Sequence, residues 1–198
     1  MQTMKSVPEI QVDPSVPVHF FQGPGPMDVE PHGKGWKFHY FLDKVEGATR
    51  KEALAAIRRV LKDPKGWART GVRWVHTTDQ AKANIIVNVV PQDSSPCGKG
   101  SAGCYSWGGD KPQADLGVEH INDASTFAEL VNMEICGHGT FRMTDMYQGD
   151  PHSPATYVGV MGTWAGVAKA SNEPSEQEII SAQQWLAGLV DPARIHND

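Results

Sequence analysis

The sequence has no long hydrophobic run. No segment approaches the roughly 20 consecutive apolar residues that a membrane-spanning helix needs, so we expect no membrane partner. The segment from Met1 to Phe21 also lacks the apolar run of a signal peptide. If Met1 is the natural start, the chain is expected to stay in the cytoplasm; if the sequence was trimmed, a secreted origin stays open.

Positive charge is scarce as well. The chain carries 18 Lys and Arg against 23 Asp and Glu, a formal net charge of −5. This balance gives no reason to expect nucleic acid or an anionic membrane as a partner. The 198 residues, of which 39% are hydrophobic, suit one domain with a real core.

Cysteine occurs only three times, so at least one thiol has no partner within the chain. Cys97 and Cys104 bracket a short glycine-rich segment and form either a disulfide loop or two separate thiols. With no second pair, their spacing is a weak zinc signal. Cys136 is expected to be a small buried hydrophobe.

The order of periodic segments predicts an α+β fold, in which a twisted mixed sheet packs on helices. Residues 1–35 are rich in Pro and Gly and are expected to form an extended arm, followed by one domain over 36–198. Strands are predicted at 36–42, 72–76, 83–90 and 116–121. Helices are predicted at 49–61, at 126–138 with a capping box at Thr126 and Glu129, and from Pro174 to about Leu189.

Two of these segments are expected beside a ligand. The stretch 91–109 is predicted to be a long loop at the rim of a cleft, where Tyr105 and Trp107 can cover what binds there. The strand at 116–121 is predicted to be an edge strand that pairs with a peptide.

Glu134 and His138 stand four residues apart and therefore share one face of the predicted helix. Apolar residues lie along that face or beside it, so it should point into the protein. A buried carboxylate and a buried imidazole are costly unless they are paired or bind metal. Two interpretations stay open: an internally hydrogen-bonded Glu–His pair, or a metal site.

The chain that follows resembles a known family. Asp145-Met146-Tyr147 and then Val158-Gly159-Val160-Met161-Gly162 are similar to the end of the zinc site in metzincin-type peptidases of the snapalysin-like branch. Those enzymes carry His-Glu-x-x-His on a helix, then Gly, an Asp ligand followed by Tyr, and a methionine turn beneath the metal. The segments 63–67 and 71–74 also resemble the early part of a related actinobacterial group of peptidase-like domains, and the resemblance covers about residues 36–190.

The resemblance implies a zincin-like domain that hydrolyses a peptide or protein substrate with zinc. His138, Asp145 and Glu134 would be the candidate metal ligands, with Met161 below them. Glu134 would be the general base that takes a proton from water and passes it to the leaving amine, and Tyr147 would assist at the oxyanion.

The motif departs from the family pattern. Met133 occupies the position of the first metal-binding His. Three residues, instead of two, separate Glu134 from His138, and this longer spacing is similar to that in dipeptidyl peptidase III. Two assignments of Glu134 stay open: it is a metal ligand, or it is the general base and Met133, Cys136 or His152 is the remaining ligand. Sulfur ligands favour a softer metal such as copper.

A second function stays open for the same reason: a peptidase-like scaffold that binds a peptide or partner without hydrolysis, or that runs different metal chemistry. The geometry expected in either case is that His138 and Asp145 approach one point, with Glu134 in reach and Met161 beneath. Gly139 is expected to end the helix in a left-handed C-cap conformation.

Overall fold

The computed structural model describes residues 21–22, 29–107, 109–144, 160–161, 173–188 and 195–196. Asp145, Tyr147 and His152 lie outside these ranges. Over the ranges that are described, no helix has both the length and the apolar character needed to cross a bilayer.

A six-stranded mixed sheet forms the centre of the α+β fold, as the sequence predicts. Its strands are β2 (Glu30–His32), β3 (Gly35–Val45), β4 (Val72–His76), β5 (Ile85–Val90), β6 (Gly103–Trp107) and β7 (Pro112–Gly117). A separate two-stranded parallel pair joins β1 (Phe21–Gln22) to β8 (Ile195–His196).

The strand order places β4 and β6 at opposite edges among the described strands. Tyr40 of β3 pairs with His76 of β4 and also with Ile85 of β5, so β4 and β5 flank β3. From β5 the sheet continues through parallel β7 to antiparallel β6. The short strand β2 pairs antiparallel with the start of β3, so part of the predicted arm belongs to the sheet.

Two strand predictions need correction. The predicted edge strand at 116–121 is wrong, because β7 ends at Gly117 and residues 118–120 form a 3-10 turn. The true edge is β6, which lies inside the predicted loop at 91–109. In β6, Gly103, Tyr105 and Trp107 share one side, which is the period-two pattern of a strand. The Gly, Cys and Ser residues of this segment are more typical of a loop, so the strand was not predicted.

The described residues form three α-helices: α1 (Arg50–Leu61), α2 (Ala124–Leu130) and α3 (Glu176–Leu186). Capping boxes open α1 at Thr49 and α3 at Ser175. The predicted cap at Thr126 is wrong, because Asp123 caps α2 and accepts a hydrogen bond from the Thr126 backbone N–H.

A π-helix (Val131–His138) continues α2 directly. It ends without the predicted left-handed glycine, because Gly139 has φ −72° and stays right-handed. Gly139 is instead required by close packing: a Cβ there would lie 2.5 Å from Ile85 Cδ1 and 2.6 Å from the Ile135 carbonyl oxygen. In the segment that follows the π-helix, Arg142 has the left-handed backbone conformation, with φ 55°.

The main core lies between one face of the sheet and these helices. Phe38, Tyr40 and Leu42 of β3 are each 1% exposed, and Ile135 of the π-helix is fully buried. The π-helix packs against α1, β6 and β7. This packing fixes the candidate site next to the β6 edge of the sheet.

Candidate functional site

The π-helix changes the register of the predicted metal motif. Its hydrogen bonds span five residues, for example from the Gly139 N–H to the Glu134 carbonyl at 3.1 Å. Residues five apart in such a turn take the relation that residues four apart have in an α-helix. Met133 and His138 are five residues apart in the π-helix. They therefore have the relative positions of the two His residues in a His-Glu-x-x-His motif, which are four residues apart in an α-helix. The wider turn of the π-helix accommodates the one additional residue between Glu134 and His138.

Two tryptophans and a threonine support this unusual turn. The Trp67 indole N–H donates to the Asn132 carbonyl at 3.1 Å, and the Trp74 indole N–H donates to the Thr140 hydroxyl at 3.0 Å. That hydroxyl in turn donates to the Ile135 carbonyl at 2.8 Å. Hydrogen bonds to buried carbonyl groups offset the loss of ordinary α-helical partners.

Glu134 and His138 are both buried, at 6% and 8% exposure. His138 Nδ1 lies 2.7 Å from the Met143 carbonyl oxygen. A carbonyl only accepts, so Nδ1 carries the proton, and in the neutral ring Nε2 carries the lone pair. Metal-binding histidines are commonly oriented by this kind of backbone contact.

The edge strand β6 lies directly against both side chains. A Cβ on Gly103 would lie 3.0 Å from Glu134 Cγ and 3.1 Å from its Oε1, so the carboxylate lies close to the strand backbone. Tyr105 stacks on the His138 ring, with centroids 5.5 Å apart and planes 16° apart. Within the segment 91–109, Tyr105 therefore lies beside His138.

Aromatic and cationic groups continue the site towards solvent. The Trp107 indole N–H donates to the Tyr105 hydroxyl at 2.7 Å, and Trp107 is 50% exposed. The Arg142 guanidinium lies 5.3 Å from the Trp107 ring centroid, within reach of a cation–π interaction. The order from inside to outside is thus Glu134 and His138, then Tyr105, then Trp107.

Met161 packs on the π-helix. It is fully buried, and its sulfur packs so closely on Gly137 that a Cβ there would displace the Met161 side chain. Glu178 of α3 holds the Met161 backbone in place. Its Oε2 accepts from the Met161 N–H and its Oε1 from the Val160 N–H, both at 2.8 Å. The same Oε1 accepts from Ser175 at 2.9 Å, so one carboxylate joins the α3 cap to the segment under the site.

The structure describes only some of the other candidate ligands. Cys136 is fully buried in the core, and burial raises the pKa of its thiol, which disfavours a thiolate ligand. Asp145, Tyr147 and His152 lie outside the described residues. Within the ranges that are described, no group of three or more His, Cys, Asp or Glu side chains could hold a metal.

The cysteine alternatives resolve in favour of a disulfide between Cys97 and Cys104. Cys104 lies in β6 between Gly103 and Tyr105, the two residues that contact Glu134 and His138. The disulfide therefore fastens the edge strand at the position of the site.

Sequence reasoning missed the groups that surround Glu134 and His138. The segments quoted for the resemblance contain Trp67 and Trp74, and Trp74 also belongs to the predicted strand at 72–76. Glu178 lies in the helix predicted after Pro174. None of the three is predicted to support the site. Gly103 and Tyr105 were assigned to a loop. A signal was present in the Tyr105–Trp107 spacing, which is the spacing of side chains on one side of a strand.

No protein-family model matches this chain, and no curated protein matches it in sequence.

Proposed function

We propose that this protein is a zincin-like, metal-dependent hydrolase that cleaves peptide bonds. The observation that carries the proposal is the joint position of Glu134 and His138, buried on one turn beside an edge strand and above Met161.

In this proposal Glu134 is the general base. Its carboxylate accepts a proton from the attacking water and passes it to the leaving amine, while the water oxygen bonds to the scissile carbonyl carbon. Burial beside the β6 backbone limits bulk water around the carboxylate, which strengthens its electrostatic interactions with substrate.

The donor set fits a metal in part. His138 has the tautomer that offers Nε2 as a ligand, because Nδ1 is committed to the Met143 carbonyl. We propose Asp145 as a further ligand and Glu134 as the base or a ligand, with Tyr147 at the oxyanion. A bound zinc ion would polarise the scissile carbonyl and make water more acidic.

The substrate is proposed to lie along β6 as an added strand. Edge strands offer backbone hydrogen bonds to extended peptides, and side-chain contacts give the selectivity. Tyr105 and Trp107 lie on the same side of β6 as the site, so aromatic or apolar substrate side chains would contact them.

Met133 favours a second candidate function. The π-helix gives it the register of the first metal ligand, and a thioether is a poor ligand for zinc but suits a softer metal such as copper. The alternative is therefore a peptide-binding scaffold without hydrolysis, or a protein with different metal chemistry.

One set of variants separates these functions. Hydrolysis of a mixed peptide library is measured for the wild type with added Zn²⁺, with chelator, and for Glu134→Gln. We expect chelator to stop hydrolysis, and Glu134→Gln to lower kcat by about 10²- to 10⁴-fold while metal binding is kept. The control Glu129→Gln, five residues earlier and half-buried in α2, should keep full activity.

Two results would redirect the proposal. If Glu134→Gln also loses the metal, Glu134 is a ligand and the base mechanism is wrong. If the zinc-loaded wild type releases no new amino termini but still retains library peptides, the scaffold function replaces hydrolysis.

A further inference from the structure

A cavity of about 650 Å³ follows the strand β4, which is the edge of the sheet opposite to β6 among the described strands. All five residues of β4, Val72–His76, line it, although their side chains alternate between the two faces of the sheet. The cavity therefore runs along the backbone of the strand rather than over one face. It is separate from Glu134 and His138, which lie beside β6.

The pairing of β4 with β3 leaves backbone groups of β4 directed away from β3. The Thr77 N–H donates to the Tyr40 carbonyl at 2.9 Å, and in a parallel pair alternate residues of a strand direct both backbone groups to the partner. Over the described ranges, β3 is the only strand that pairs with β4. The N–H and C=O groups of Trp74 and His76 therefore point to the free edge. Such an edge can accept a further extended strand.

Cations flank this edge on both faces of the sheet. Arg58 and Lys62, both exposed near the end of α1, line the cavity on the helix side. Arg73 is exposed and, by the alternation of the strand, lies on the opposite face from Trp74 and α1. The described residues that line the cavity include no carboxylate. A strand added beside β4 would direct successive side chains to these two faces, so each set would meet a cation.

A like-charge pair on the outer face would be stabilised by an acidic side chain. Arg73 pairs directly with Lys37 of β3, so the two cations lie side by side on one face. Like charges on directly opposite residues repel. Glu30 of β2 lies on the far side of Lys37, two strands away from Arg73. A carboxylate on a strand beyond β4 would lie opposite Arg73 and offset the repulsion.

The same charges disfavour a second copy of this chain as the partner. Two β4 edges paired with each other would bring the cations of both chains together. Burial lowers the pKa of His76, and the charges of Arg58 and Arg50 lower it further, so positive potential reaches the end of β4. An acidic partner is attracted by this potential.

We propose that the edge of β4 binds an extended acidic segment of a partner protein, which adds to the sheet as a further strand. Its backbone exchanges hydrogen bonds with Trp74 and His76. Its Asp or Glu side chains contact Arg73 on one face, and Arg58 and Lys62 on the other. Main-chain hydrogen bonds supply affinity, and the cations select the charge of the segment. This site is independent of the hydrolysis proposed beside β6.

The test titrates the full chain, with chelator present to prevent hydrolysis, with the peptide Thr-Val-Glu-Glu-Val-Thr and with its Gln-Gln counterpart. Calorimetry should show saturable binding of the acidic peptide and about 10-fold weaker binding of the neutral one. In the complex, hydrogen exchange of the Trp74 and His76 amides should slow, because their N–H groups gain acceptors. The Val75 amide is directed to β3 in the free chain and should change little.

Matched variants locate the site. Arg73→Glu should weaken binding of the acidic peptide by about 10-fold, since it replaces attraction by repulsion. Lys62→Glu, at an exposed position on the other face, should have a similar effect. Lys51→Glu makes the same change of charge at an exposed position of α1 outside the cavity, and should bind as the wild type does.

Several outcomes would overturn the proposal. They are no saturable binding of the acidic peptide, equal binding of the Gln-Gln peptide, or a complex in which the Trp74 and His76 amides exchange as fast as before. If Lys51→Glu weakens binding as much as Arg73→Glu, the attraction is one of overall charge and not of this edge. Dimerisation of the free chain that protects the same two amides would assign the edge to a second copy instead.

Discussion

The Met161 sulfur packs directly on Gly137, the residue immediately before His138. This contact joins the segment before α3 to the turn that carries the candidate site. A Cβ at Gly137 would force the buried Met161 side chain to move.

Gly137→Ala should therefore destabilise the protein by about 1–3 kcal/mol, because the added methyl group would collide with Met161. Alanine is otherwise the better helix former by about 1 kcal/mol, so a loss of stability identifies the collision. Urea unfolding measures the change. Gly109→Ala is the control, since a Cβ there meets open space, and its effect should stay within about 0.5 kcal/mol. Equal effects at the two positions would contradict the packing account.

Glu178→Gln should cost about 2–3 kcal/mol of unfolding free energy. The Glu178 carboxylate accepts from the backbone N–H groups of Val160, Met161 and Ser175, and an amide would turn a donor towards one of them. Glu176→Gln on the same helix removes only a surface ion pair with Arg69 and should cost at most about 1 kcal/mol. A similar cost for both variants would mean that Glu178 does not anchor the Met161 segment.

The helices and strands show how far sequence reasoning reaches. The strand at Val72–His76 follows from a local pattern, and the structure has it at those residues. The helices predicted at 49–61 and after Pro174 correspond to α1 (Arg50–Leu61) and α3 (Glu176–Leu186). The side chains carry these signals themselves, as alternation in the strand and as apolar residues at helical spacing in the helices. A Ser or Thr three residues before Glu does not by itself fix a helix start, since the pattern holds at Ser175 and fails at Thr126.

The π-helix could not be predicted in this way. Its stability depends on hydrogen bonds from Trp67 and Trp74, which are more than 60 residues away in sequence. Gly139 was misassigned for a related reason: its constraint comes from Ile85 on another element, and a local rule sees only backbone conformation. Position-by-position patterns carry no information about such distant neighbours.

Reduction of the Cys97–Cys104 disulfide should lower stability by about 2–3 kcal/mol, the usual size for a short loop. Because Cys104 is flanked by Gly103 and Tyr105, we also expect weaker packing of β6 on His138. Thermal unfolding with and without a phosphine reductant measures the first effect, and hydrogen exchange of the β6 amides measures the second. A variant with both cysteines replaced by serine should no longer respond to reductant; a response in that variant would refute the assignment.

His76 should make stability depend on pH. Its pKa in the folded protein is below its ordinary value of 6.5, so the unfolded chain binds the proton more readily. The stabilising contribution is complete above pH 6.5 and is lost as the pH falls below that value. His76→Gln should therefore lose less stability than the wild type between pH 7.5 and pH 5.5, as measured by urea unfolding. His32→Gln, at an exposed position of β2, should keep the wild-type pH dependence. A wild-type pH dependence in His76→Gln would exclude this role.

Metal binding by His138 tests the central claim most directly. The purified chain is stripped with chelator and titrated by calorimetry with Zn²⁺, and with Cu⁺ under reducing conditions, in the wild type, His138→Ala and His120→Ala. His120 contacts Gln92 through its side chain and has no part in the proposed site. The account predicts one equivalent of metal in the wild type and in His120→Ala, and none in His138→Ala. Equal binding in His138→Ala, or no binding of either metal by the wild type, would contradict it and leave Glu134 and His138 as a buried structural pair.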